Sequence, residues 1–379
     1  MLEPAERERY QRHLLLPELG VAGQEKLRAA RVLVVGAGGL GSPAALYLAA
    51  AGIGTLGLVD DDRVELSNLQ RQVLYGTADI GAGKAETAAA RLRALNPAIV
   101  VQAHPVRLDA GNVLGLLAGY DLVVDGSDRL ATRYLVNDSC VITNKLLVSA
   151  AIHRFEGQAL SVRPGAGPCY RCLFPESSRA VAPSCAEAGV LGVLPGILGA
   201  VQAAEAIKLA AGIGEPLVGR LLTFDALGMR WQEFRFARRS DCAVCGNAPS
   251  IRSPADSVAS LLDNSSSRVE RLDPLALQAR LERAAMGQGE ALLVDVREPA
   301  EFEAGHLVGS VNIPLGELQR RLDGLPLQFP AVFVCRSGTR SLQAGVLAAR
   351  AGFAVAHLEG GLLAWARALD PALVVAPAE

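Results

Sequence analysis

The sequence predicts an α/β protein: a Rossmann-like domain on a mixed, largely parallel sheet with a four-cysteine clip, followed by a smaller α/β domain. Three observations predict it. Apolar strand-like runs alternate with Ala/Leu-rich helical stretches from about residue 31 to 150, the βαβα pattern of a sheet covered on both faces. Two C-x-x-C pairs, Cys169/Cys172 and Cys242/Cys245, lie far apart in the chain. A second α/β pattern follows a stretch rich in Ser, Pro, Asn and Asp.

The bulk numbers agree with this class. The chain has 379 residues, half of them hydrophobic and a fifth charged, which suits two or three globular domains. A net charge of −2 gives no general attraction to nucleic acid or membrane. The charged start "MLEPAERERYQRHLLL" lacks the pattern of a secretory signal. No uninterrupted apolar run reaches the roughly 20 residues of a membrane helix. A reducing cytoplasm is therefore expected, where the seven cysteines serve as metal ligands or reactive thiols rather than disulfides.

In order along the chain, "RVLVV" reads as a strand and is followed by an Ala-rich helix. "TLGLVD", a helix through "GKAETAAARLRAL", then "IVVQAHPV" and "YDLVVDGSD" continue the series. These elements and the cysteine pairs predict a first domain over 1–246. Residues 247–268 read as a flexible linker. "ALLVDVRE", "VNIPL", "AVFVCRSGTRS" and a helix through "LQAGVLAARAG" predict a second domain over 269–379, the right size for one small domain.

The first strand runs into Gly36, Gly38, Gly39 and Gly41, a G-x-G-x-x-G turn ahead of a helix. Its glycines permit close backbone approach, and the helix N-terminus offers N–H groups to phosphate. Asp60 ends the next strand, where a carboxylate can accept ribose hydroxyls. This much indicates adenosine with phosphate and does not separate NAD from ATP. Asn68 and Arg71 in "SNLQRQ" and Lys84 in "GAGK" favour a nucleotide that loses pyrophosphate, because cations neutralise charge building on the α-phosphate and leaving group. Asp125 and Asp128 lie beyond a strand end, where a carboxylate can hold Mg²⁺ against phosphate oxygens.

The order GAGGLG, VDDD, SNLQRQ, GAGK, DGSD resembles the MoeB/ThiF family, relatives of ubiquitin-activating enzymes, from about Arg7 to Gly246. The resemblance implies adenylation of the C-terminal glycine of a ubiquitin-like protein. It implies ribose binding by Asp60, phosphate contacts by Asn68, Arg71 and Lys84, and a role with Mg²⁺ for Asp128. "RYQRHLLL" is similar to the N-terminal helix that lends an arginine to a partner subunit's site. Here that residue is Arg12, and a homodimer is implied.

The two C-x-x-C pairs make a tetrahedral thiolate site for Zn²⁺ with no position left for water, hence structural. The MoeB/ThiF resemblance implies the same four-cysteine zinc. Cys140 reads as a small buried core residue. Cys185, among Pro, Ser and Gly, reads as a thiol on an exposed crossover loop; the resemblance implies that it meets the activated carboxylate.

In the second domain "VFVCRSGTRS" places Cys335 at a helix N-terminus beside Arg336 and Arg340, with Ser337, Gly338 and Thr339 completing the loop. Helix N–H groups and arginines favour a thiolate, which can attack a sulfur donor and carry a persulfide. Cys335 and Arg340 are five positions apart, a tighter loop than the phosphate cradle of cysteine phosphatases. With "LLVDVREPAEFEAGHLVGSVNIPL" and "LEGGLLAW", the loop resembles the rhodanese family from about Val269 onward. Asp295 and Arg297 read as a structural ion pair, and His306 as a packing residue.

An adenylating domain joined to a rhodanese resembles fused adenylyltransferase–sulfurtransferases, which make thiocarboxylates on sulfur-carrier proteins. The expected partners are a carrier ending in Gly-Gly and a sulfur donor such as a cysteine desulfurase or thiosulfate, with no nucleic acid and no membrane. Molybdopterin, thiamin, tRNA-thiolation and specialised biosynthetic carriers all fit. Two other functions use the same motifs. A ubiquitin-type activator would keep a lasting thioester on Cys185 and need no Cys335. An NAD-dependent oxidoreductase would use the glycine turn and leave Arg71, Lys84 and the four-cysteine clip unexplained.

Overall fold

A computed structural model describes residues 2–175, 189–266, 269–286, 292–322, 330–350 and 353–375. The chain forms two compact units that divide at Ala259 and Ser260.

The first unit is built on an eight-stranded sheet in the order β3-β2-β1-β4-β5-β6-β7-β8. Five strands are parallel: β1 (Arg31–Val35), β2 (Thr55–Val59), β3 (Val100–His104) at one edge, β4 (Leu122–Asp125) and β5 (Leu146–His153). The first two are apolar and buried along nearly their whole length, as strands covered on both faces must be. Antiparallel pairing carries the sheet on through β6 (Glu156–Val162), β7 (Arg220–Asp225) and β8 (Arg230–Arg235), whose residues are all exposed.

The helix Gly41–Ala51 ends on Gly52 in the left-handed conformation, the usual C-terminal stop. Its Ala44, Ala45, Leu48 and Ala49 are buried in one core with Leu56, Leu58, Ala88, Leu92 and Val124. The helix Leu194–Ala211 is long and apolar enough to cross a membrane by length and composition alone. Its place in the fold is otherwise, because Leu194, Leu198, Ala203, Ala206 and Leu209 are buried in the protein's cores.

The expected linker 247–268 needs correction. Residues Pro254–Ser266 form a helix, and its start belongs to the first unit. Ser257 is fully buried and donates to Asp138 Oδ2 at 2.6 Å. Asp256 accepts from the backbone N–H groups of Arg252 and Ser253 at 2.9 Å each, closing the helix N-terminus. Tertiary anchoring overrides a composition that reads as loop.

The second unit has a five-stranded, all-parallel sheet in the order β11-β10-β12-β13-β9. The strands are β9 (Val269–Leu272), β10 (Leu292–Asp295), β11 (Val311–Asn312), β12 (Ala331–Val334) and β13 (Val355–Leu358). Val294, Phe333, Ala344 and Ala348 share one buried cluster, and Leu293, Val332, Leu358 and Leu362 share another.

The expected Asp295–Arg297 pair is present and both residues are fully buried. Arg297 donates to both Asp295 oxygens at 2.7–3.1 Å and to the Gly305 carbonyl at 2.7 Å. Arg297→Met leaves a buried carboxylate unpaired, which costs about 3–5 kcal/mol. Denaturant unfolding followed on the second unit measures it; a change under ~1 kcal/mol rules out a structural role for the pair. His306 stacks on Phe302 with ring centroids 3.9 Å apart and bonds its carbonyl through Nδ1 at 2.9 Å, so it packs as expected.

Candidate functional site

The glycine turn leaves the C-terminal end of β1, between β2 on one side and β4 on the other. The strand order reverses there, which opens the crevice where α/β sheets bind ligands. Gly36 has φ +84°, and a Cβ on Gly41 would overlap the Gly36 carbonyl oxygen. Only glycines let the chain double back this tightly before the helix Gly41–Ala51.

Asp60, Arg71 and Lys84, singled out from the sequence, gather around this turn. A Cβ on Gly39 would lie 3.7 Å from Arg71 Cδ, and one on Gly38 would lie 3.5 Å from Gln72 Nε2. Arg71 also donates to the Ser67 carbonyl at 3.1 Å. Asn68 is buried at the end of the 3-10 turn Leu66–Asn68. Asp60 accepts the Ala37 N–H at 2.8 Å and the Asp62 N–H at 2.9 Å. Burial raises its carboxyl above the ordinary value, and the Asp62 N–H, Lys84 and the Ala37 N–H oppose that rise. Tyr75 is buried and its hydroxyl bonds the carbonyls of Ala37 and Lys84 at 2.9 and 3.2 Å. It fastens the turn to the start of the helix Lys84–Leu95.

Lys84 is 5 % exposed, which is unusual for a lysine. Its Nζ donates to Asp62 Oδ2 at 2.9 Å. Asp62 is exposed and was not among the residues singled out from sequence. A buried lysine lightly held by an exposed carboxylate is a cation ready to exchange that partner for phosphate.

The two aspartates, Asp125 closing β4 and Asp128 beyond it, part ways. Asp125 is fully buried and accepts from Ser127 N–H and Oγ at 3.0 and 2.6 Å and from Ser149 Oγ at 3.1 Å. Arg133 Nε lies 3.6 Å away. That carboxylate shapes the loop. Asp128, three residues on, is exposed and free to meet a cation. Arg12 is exposed on the helix Gln11–Leu14. Cys185 lies outside the described residues. Cys140 is fully buried, and burial, with Asp125 and Asp138 nearby, pushes its thiol up; it is a core residue, as expected.

The four knuckle cysteines converge, with all four sulfurs within 4.8 Å of one another. Cys169 and Cys242 sulfurs are 3.6 Å apart, and Cys172 and Cys245 sulfurs 3.3 Å. A tetrahedral zinc with bonds of about 2.3 Å needs sulfurs about 3.8 Å apart. The donor set and spacing fit such an ion. Between the first two cysteines, Arg171 is buried against Asp138, donating at 2.8–2.9 Å, with its guanidinium 4.5 Å from the Tyr134 ring centre.

In the second unit Cys335 follows β12 and precedes the helix Thr339–Arg350. Its sulfur is buried and accepts the backbone N–H groups of Gly338 and Ser341 at 3.2 Å each. Leu362 N–H caps its carbonyl at 2.8 Å. Arg340 is held in a bidentate pair with Glu301 at 2.7 Å twice. That pairing lowers the Glu301 carboxyl pKa and raises that of the guanidinium. The expected thiolate support from Arg340 is therefore shared with Glu301, and the sulfur's direct partners are backbone N–H groups. Glu301 and Ser341 were missed from sequence. Ser341 was reachable, since it directly follows the loop; Glu301 is 39 residues from Arg340 and carried no local signal.

Residues 10–244 match the ThiF family model and residues 278–368 the rhodanese-like domain model. A probable adenylyltransferase/sulfurtransferase MoeZ of Mycobacterium tuberculosis is 43 % identical over 376 residues, 97 % of this chain and 94 % of that protein. Mouse adenylyltransferase and sulfurtransferase MOCS3 is 43 % identical over 394 residues, 96 % of this chain and 85 % of that one. A sulfur carrier protein adenylyltransferase of Thermus thermophilus is 52 % identical over 257 residues, 66 % of this chain and 95 % of that one. Among solved structures, E. coli MccB with AMPCPP and MccA superposes with a TM-score of 0.56 at 26 % identity, covering 63 % of this chain and 74 % of MccB. Its ThiF match covers more than half of the sequence and is followed by a rhodanese-like domain, and the chain belongs to the ThiF family.

Proposed function

We propose that the protein activates the C-terminal carboxylate of a ubiquitin-like sulfur carrier with ATP and then delivers sulfur to it, leaving a thiocarboxylate. The observation that carries this reading is the gathering of Arg71 and Lys84 at the glycine turn, in a chain that also cradles a buried sulfur between two backbone N–H groups. The names of the full-length relatives, which pair the same two activities, support it.

In the first half, a carrier carboxylate oxygen attacks the α-phosphorus of ATP. The bond to the β-phosphate oxygen breaks and pyrophosphate leaves. The glycine turn binds phosphate, Asp60 the ribose, and Asn68, Arg71 and Lys84 offset the charge that grows on the phosphates. Asp128 is the residue that would hold Mg²⁺ against phosphate oxygens. Arg12 would complete the site of a second copy in a homodimer. Zn²⁺ held by Cys169, Cys172, Cys242 and Cys245 would tie distant segments together without joining the chemistry.

In the second half, Cys335 takes a sulfur atom from a donor as a persulfide. The terminal sulfur attacks the acyl carbon and AMP departs. The resulting disulfide between carrier and Cys335 is cut by a second thiol, either Cys185 or an external one, which releases the thiocarboxylate and leaves an enzyme disulfide for a two-electron reductant to open. A catalytic thiol at Cys335 and four metal-binding ones suit the cytoplasm.

ATP–pyrophosphate exchange dependent on a Gly-Gly carrier tests the first half. Lys84→Ala or Arg71→Ala is expected to lower the exchange by roughly 10²-fold, the scale of losing one charge-stabilising group. Wild-type exchange in both variants would overturn the assignment. Label from the carrier that stays on the enzyme through turnover would instead indicate a ubiquitin-type thioester.

A further inference from the structure

His357 on β13 is buried beside the sulfur loop and has no part in the steps above. It is 4 % exposed. Its Nδ1 lies 3.4 Å from Ser341 Oγ, and that oxygen lies 3.5 Å from Cys335 Sγ. Its Nε2 is buried and has no hydrogen-bond partner among the described residues. Nitrogen, oxygen and sulfur thus form a line from the strand to the cysteine.

The geometry points to His357 as a positioning residue for the Cys335 sulfur, acting through the Ser341 hydroxyl. The inference rests on Cys335 being the sulfur carrier. An orphaned buried N–H is rarer and costlier than an unused lone pair, so the ring proton belongs on Nδ1. Nδ1–H then donates to Ser341 Oγ. Burial, and then Arg271, lower the His357 pKa, with Glu359 and the backbone of Leu358 opposing them.

With that donation in place, the Ser341 hydroxyl has one proton to place. It donates to the Gly338 carbonyl at 3.0 Å while Cys335 is a thiol whose S–H points at Oγ. When the thiol ionises, the hydroxyl turns to the sulfur. It joins the N–H groups of Gly338 and Ser341 as a third donor. The bond from His357 fixes the serine rotamer and strengthens its O–H as a donor. The charged groups around the sulfur are Arg336 beside it in the chain, Arg340, and the carboxylates Glu301 and Glu298 that act on Arg340. Those on the histidine side are Arg271 and Glu359.

The test is the pH profile of Cys335 alkylation by iodoacetamide in the full-length protein, read by mass on the Cys335 peptide. Ser341→Ala keeps the backbone N–H and removes the hydroxyl. It is expected to raise the midpoint by about one pH unit, the loss of one charge-assisted hydrogen bond. His357→Leu is expected to raise it equally, and the double variant no further. His357→Asn, whose amide nitrogen can replace Nδ1, is expected to restore the wild-type midpoint. An unchanged midpoint in Ser341→Ala overturns the proposal, as does a shift in His357→Leu that Ser341→Ala does not share. If the leucine variant does not fold, His357→Gln, whose amide reaches toward Nε2 and leaves Ser341 Oγ without the Nδ1 donor, is expected to raise the midpoint in its place, and a wild-type midpoint in that variant overturns the proposal. The titration reads the thiol itself, so its outcome is separate from the sulfur-transfer assay of Cys335→Ser, which tests the carrier role.

Discussion

Cys335→Ser is expected to reduce thiocarboxylate formation on the carrier by on the order of 10³-fold or more, the scale of removing a nucleophile. Pyrophosphate exchange is expected to stay at the wild-type rate. The separation follows from where the two chemistries sit. Asp60, Asn68, Arg71 and Lys84, proposed above to hold the nucleotide, belong to the first unit, and Cys335, proposed to carry the sulfur, to the second. Serine preserves the size of the group and its hydrogen bonds to Gly338 and Ser341, while a hydroxyl cannot store sulfur as a persulfide. Carrier mass after turnover reads the result: a gain of sulfur for oxygen with wild type, and unchanged or adenylated carrier with the variant. Undiminished thiocarboxylate from Cys335→Ser would mean that sulfur reaches the acyl-adenylate by another route and would sink the assignment.

The second large effect concerns the four cysteines. Cys172→Ser, or removal of metal by a strong chelator, is expected to lower the melting temperature of the first unit by about 10 °C or more. Structural zinc in peptides contributes ~10 kcal/mol or more. Losing even 4 kcal/mol of that moves a unit of this size by roughly 8–16 °C. The cysteines lie 73 residues apart in their cross-pairs, so they close a long loop whose freedom in the unfolded chain is large. The knuckle also carries Arg171, whose buried pairing with Asp138 depends on the loop that the cysteines shape. Calorimetry before and after chelation, with metal quantified in the protein as isolated, measures the effect. A stoichiometric metal whose removal leaves the melting temperature unchanged would contradict a structural role.

Much of the site is legible in the sequence because its chemistry is written in short contiguous stretches. Gly36 to Gly41 encode a turn that only glycines can make. Each C-x-x-C pair is local, and Cys335 to Arg340 lie in a single loop. What the sequence hides depends on tertiary partners. Asp125 and Asp128 read alike in "VVDGSD", and only the fold shows that one is sealed among Ser127, Ser149 and Arg133 while the other reaches solvent. Arg340 reads as a free cation until the fold brings Glu301 to it. The helix Pro254–Ser266 reads as linker because Ser, Asp and Asn are poor helix formers, and its anchor, Asp138, lies 119 residues earlier.

That anchor bears on how the chain folds as it is made. Asp138 accepts from Asn137, from Arg171 between Cys169 and Cys172, and from Ser257 beyond the last of the four clustered cysteines. The first unit therefore lacks its closing contacts until the ribosome has released residues well past Cys245. A boundary drawn at the last cysteine would cut away Ser257 and leave a buried carboxylate short of one donor. During synthesis, residues 246–259 act as the final piece of the first unit before they lead into the second.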